Sequence, residues 1–97
     1  MVMTRRDLEG KFLYLTLYRE YFDQIRSGLK TEEYRDRSKY WIARLRNKCY
    51  DFVFFRNGYG RNRPWIICEC RGIRELEVRD MFAVSLGKIV AGRGIPA

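Results

Sequence analysis

The chain has 97 residues, room for one compact core, and its 46% hydrophobic and 15% aromatic content is enough to build that core, which excludes a disordered chain. Twenty Lys and Arg against twelve Asp and Glu give a net charge of +8, and fifteen of the twenty cations are Arg, whose planar fork suits phosphate and stacks on bases. No apolar run approaches the roughly 18 residues of a membrane span, and three cysteines without any histidine exclude a Ser-His-Asp or Cys-His catalytic unit and a four-ligand Cys/His zinc site.

The expectation is therefore one cytoplasmic domain, residues 1–97, with reduced and buried thiols, no metal, no cofactor and no membrane association. Its charge calls for an anionic partner, RNA or a nucleotide first, the alternative being a basic surface without a specific partner.

Phe12 to Leu17 alternates loosely and is rich in aromatic and apolar side chains, which predicts a buried strand. From Arg19 to Ser27 a helix is predicted, because Tyr18, Tyr21, Phe22, Ile25 and Leu29 recur at helical steps and Gly28 supplies the left-handed cap. Lys30 to Asp36 reads as a polar connector or strand. Ser38 then caps a second helix with Trp41, Ile42 and Leu45 facing inward and Arg44, Arg46 and Lys48 near its end. Tyr50 to Phe55 is short and nearly all apolar, as in a central strand buried on both faces. The loop Arg56 to Pro64 carries an Asn-Gly turn signal, and Trp65 to Gly72 is the next strand. A charged stretch, Arg74 to Asp80, precedes a last strand from Met81 to Val90, with Gly92 to Ala97 as a loose tail. Strands with two short helices make a small α+β domain, a closed barrel being one such arrangement.

Three features could carry chemistry. In Gly28 to Arg35, four charged residues and a hydroxyl follow a helix cap; in a strand Thr31, Glu33 and Arg35 share one face, so Lys30 meets Glu33 only if it lies before the strand or at a bulge. The Arg56 to Arg63 loop sets Arg56, Asn57, Tyr59, Arg61 and Arg63 among glycines that let backbone amides approach a phosphate; it is either such a site or an ordinary polar hairpin loop. Glu69 is out of place amid Ile66, Ile67, Cys68 and Cys70, and either pairs with an Arg or serves a site. Trp41 reads as core.

The spacing Gly28-x-Lys30-x-x-Glu33-x-Arg35 after a strand and a helix resembles the signature of the ASCH domain family, relatives of PUA-type RNA-binding domains. The strand at Leu15 to Leu17, the Tyr40 to Arg44 segment, Phe55 to Tyr59 and Leu86 to Ile89 look like the same family, so the likeness covers about residues 12–90. It implies a PUA-like β-barrel with two short peripheral helices and a basic cleft lined by Lys30, Glu33 and Arg35 that takes RNA or a nucleotide-like ligand. In that reading Lys30 and Arg35 engage an anionic or carbonyl group, Glu33 and Glu69 accept from a base edge, and the Arg56 to Arg63 loop holds phosphates. Relatives that hydrolyse N4-acetylcytidine use a Lys, a Thr three residues later and a Glu on a later strand. Lys30 matches the first and Glu69 looks like the last, but Glu33 stands in place of the Thr. A hydrolase in this cleft, amidohydrolase or ribonuclease, would draw on Lys30, Glu33 and Glu69.

Overall fold

The computed structural model describes residues 8–60 and 62–93, so Arg61 of the basic loop lies outside the described residues, as does the end of the expected tail. Seven elements follow in order: β1 (Phe12–Leu17), α1 (Arg19–Arg26), β2 (Glu32–Asp36), α2 (Lys39–Leu45), β3 (Phe52–Asn57), β4 (Trp65–Leu76) and β5 (Met81–Arg93). The strands form one sheet in the order β1-β3-β4-β5-β2, parallel between β1 and β3 and antiparallel elsewhere. The sheet curls into a half-barrel, a small α+β barrel-like fold, and its two edge strands meet where Arg35 of β2 reaches the Thr16 carbonyl of β1 at 3.4 Å.

Alternation in β1 and β3 puts Leu13, Leu15 and Leu17 in register with Val53, Phe55 and Asn57 on the concave face. Against this face α1 buries Phe22 and Ile25, three residues apart and so on one side of the helix. The helix stops at Ser27 because Gly28 takes φ +85°, and the Lys30 amide closes the turn onto the Gln24 carbonyl at 3.0 Å. Ser38 caps α2 by accepting from the Trp41 amide at 3.4 Å, and Leu45 fixes the helix to the core.

Two strand readings change. The run from Tyr50 is not buried on both faces: the strand begins at Phe52, and Phe52, Phe54 and Arg56 lie half-buried opposite the core. On that second face the rings shelter one another, with centroids 5.2 Å apart for Phe12 and Phe52, 5.5 Å for Tyr14 and Phe54, and 5.3 Å for Phe54 and Trp65. The last strand does not end at Val90, because β4 supplies partners as far as Arg93, which pairs with Trp65. The expected charged stretch is half β4 and half the turn before β5. Gly87 allows a close approach: a Cβ there would lie 2.7 Å from Glu69 Oε1 and 2.8 Å from Arg71 Nε, so those side chains would have to shift.

Glu75 ties the flank together, accepting from Arg46 Nη2 at 2.6 Å and facing Arg37 Nε at 2.9 Å. The Arg46 hydrogen bond, with Arg37 adding to it, holds its carboxyl below the ordinary carboxylate range. No helix among the described residues is long and apolar enough to cross a membrane.

The cysteines are not uniformly buried as expected: Cys49 is exposed, Cys70 intermediate and Cys68 buried. Burial pushes the Cys68 thiol up to about 12 and the Cys70 thiol upward as well. A thiol reagent such as DTNB should therefore modify Cys49 rapidly in the folded protein and Cys68 only after unfolding in denaturant; rapid labelling of Cys68 under native conditions, located by peptide mass spectrometry, would contradict this packing.

Candidate functional site

β2 is an edge strand, and its side chains finish its own free edge. The Tyr34 amide donates to Glu33 Oε1 at 3.1 Å, and the Tyr34 carbonyl accepts from Arg35 Nη1 at 2.8 Å. Glu33, only 4% exposed, needs its charge matched where it sits. Lys30 Nζ lies 2.8 Å from Oε1 and Arg35 Nη1 lies 3.0 Å from Oε2. Lys30 precedes the strand by two residues, the placement that lets it reach a carboxylate on the same face as Arg35. The three charges carry a net +1 and span the seam from β2 to the Thr16 carbonyl of β1.

Above this seam lies an open cleft of about 920 Å³. Six of the seven tyrosines line it, Tyr14, Tyr18, Tyr21, Tyr34, Tyr40 and Tyr59, together with Trp41. They come from scattered places: Tyr14 from β1, Tyr18 and Tyr21 from the start of α1, Tyr40 and Trp41 from the first turn of α2, and Tyr59 from the β3–β4 loop. Tyr18 and Tyr59 are 80% and 81% exposed, well beyond what packing alone asks of a ring. Cations sit on four of these rings: Lys30 on Tyr21 at 4.6 Å, Arg35 on Trp41 at 5.3 Å, Arg44 on Tyr40 at 3.4 Å and Arg56 on Tyr59 at 5.7 Å from the centroids. Such a cleft is equipped to stack planar rings and to meet negative charge or carbonyl oxygen with ammonium and guanidinium donors.

The residues singled out in the sequence are distributed unevenly. Lys30, Glu33, Arg35 and Tyr59 line the cleft, and Arg56 borders it through Tyr59. Glu33 has both oxygens engaged by Lys30, Arg35 and the Tyr34 amide, so it holds the two cations in place rather than presenting a free acceptor. Asn57 is buried at the end of β3; its amide donates to the Pro64 carbonyl at 2.9 Å and its own carbonyl accepts from Arg63 Nε at 2.8 Å. These contacts close the base of the loop and leave both residues outside the cleft lining. Glu69 is not brought to Lys30. It lines a separate depression with Asp51 and Arg71, and its Oε1 accepts from the Lys88 amide at 3.2 Å. Lys30 and Glu33 thus line one cleft and Glu69 another depression.

Trp41, expected in the core, packs against the core with one side and lines the cleft with the other. The sequence alone does not single out Tyr14, Tyr18, Tyr21 or Tyr40 as ligand residues. The available signal was chemical: the fully buried rings are Phe22, Phe55 and Phe82, whereas the cleft rings, Trp41 apart, carry hydroxyls. Among the described residues no group of three or more His, Cys, Asp or Glu is placed to hold a metal ion.

Compared with protein-family models, curated proteins and solved structures, the chain matches none of them.

Removing the carboxylate charge leaves two partly buried cations unmatched, so Glu33→Gln should cost about 3–5 kcal/mol in urea unfolding. Glu69→Gln, which keeps the acceptor for the Lys88 amide, should cost about 1 kcal/mol or less. Equal costs for the two variants would contradict the assignment of Glu33 as the seam's central charge.

Proposed function

We propose that this protein is an RNA- or nucleotide-binding domain of the ASCH type, with a PUA-like barrel, that takes bases into the tyrosine-lined cleft at the sheet seam and acts in the cytoplasm. The observation that carries the reading is the gathering of six of seven tyrosines, with Trp41, into one cleft floored by Lys30 and Arg35. Every nucleobase has a π-face, and stacking on an aromatic side chain contributes about 1–3 kcal/mol per base without demanding a particular sequence. Lys30 retains donors beyond the one spent on Glu33, which suits a base carbonyl or a phosphate oxygen at the cleft floor. The +8 charge adds attraction for a polyanion. The Gly28-x-Lys30-x-x-Glu33-x-Arg35 resemblance supports the same reading, because the segment it marks is the one that builds the floor.

Fluorescence anisotropy with labelled single-stranded RNA tests it. Tyr59 is exposed enough that its truncation leaves the fold intact, so Tyr59→Ala should weaken binding about fivefold to a hundredfold, the equivalent of one lost stack. Absence of binding by the wild-type protein at low salt, or unchanged affinity in Tyr59→Ala, would refute the proposal.

A further inference from the structure

The four cation–ring contacts divide into two kinds. Lys30 and Arg35 sit on Tyr21 and Trp41 and share the single carboxylate of Glu33. Arg44 and Arg56 sit on Tyr40 and Tyr59, and among the described residues neither has a carboxylate partner. The Arg44 guanidinium lies 3.4 Å from the Tyr40 centroid, and its Nη1 donates to the Tyr40 carbonyl at 3.0 Å. A guanidinium held over a ring keeps its remaining in-plane N–H groups directed away from it, which leaves a fork pre-set for a phosphate. The two unmatched cations belong to different elements, one to α2 and one to the end of β3.

We infer that Arg44 and Arg56 are phosphate subsites on the rim of the cleft, and that the ligand is a single-stranded oligonucleotide whose backbone runs over both, not a mononucleotide. This rests on the base-stacking reading above and goes further. One base is sandwiched by at most two rings, whereas the cleft offers seven, and its 920 Å³ lies near the top of the roughly 300–1,000 Å³ range of small-molecule clefts. Floor cations that share a carboxylate and rim cations that have none fit a strand that puts bases inward and phosphates outward. The sequence places Arg44 among the cations near the end of α2, and its place on a cleft ring gives it a further part.

The test measures anisotropy against salt for an oligouridylate of about eight nucleotides, within the site sizes of single-strand binders, with uridine monophosphate as competitor. For single strands each phosphate contact contributes about 0.7 to the slope of log K against log salt. Arg44→Ala should lower the oligomer slope by about 0.7 and Arg44→Ala with Arg56→Ala by about 1.4, while the monophosphate competes equally weakly against all forms. Arg44→Gln, which keeps a good helix former and removes the charge, should repeat the single loss and serves if Arg44→Ala misfolds. An unchanged oligomer slope in the Arg44 variants, or monophosphate binding as tight as the oligomer, would overturn the inference while a persisting Tyr59→Ala defect leaves base stacking standing. A wild-type protein that binds neither probe overturns both.

Discussion

Glu33 is the group on which the rest of the architecture depends. A carboxylate 4% exposed beside the free edge of a sheet demands cations, and it draws Lys30 from the turn before β2 and Arg35 from within the strand. Arg35 in turn seals the edge: it covers the Tyr34 carbonyl and reaches across to Thr16, so the two outermost strands are tied by a side chain rather than by a ladder. An edge left bare would invite pairing with another chain. The seam stays open enough to be a cleft because it is bridged by the long Arg35 side chain and not zipped by backbone.

What surrounds the seam follows from how the rings are divided. Phenylalanine fills the concave core, where a hydroxyl would need a partner, and tyrosine lines the cleft, where one end of the ring is wet. Cation–ring contacts pair four cations with cleft rings, which in the proposed binding role lowers the ordering entropy that a ligand must overcome. The alignment of α2, set by the Ser38 cap and Leu45, delivers Tyr40, Trp41 and Arg44 together.

Local chemistry was legible in the sequence wherever a short segment contains its own cause. The alternation of Phe12 to Leu17 matches β1, Gly28 marks the end of α1, Ser38 caps α2, and the need for Lys30 to precede the strand in order to meet Glu33 is met. The extension of β5 to Arg93 was not legible, since glycine and charge at its end read as a tail until β4 provides a partner. The same limit hid most of the cleft. Tyr14 and Tyr59 are far apart in the chain and come together because β1 pairs with β3 in parallel, and the curl of the sheet from β1 round to β2 adds Lys30, Tyr34 and Arg35 to the same place. Glu69 stood out as a carboxylate in an apolar strand, yet its neighbours are set by Gly87 on β5, which no spacing in the sequence reveals.

The central claim is that bases stack inside the tyrosine-lined seam. Photo-crosslinking with single-stranded RNA containing 4-thiouridine, followed by peptide mass spectrometry, reads the contact directly. The account predicts adducts at Tyr18, Tyr21, Tyr40 or Tyr59, competed away by unlabelled single strand. Adducts confined to surfaces away from the cleft, such as the turn at Val78 or the Lys88 region of β5, would contradict it.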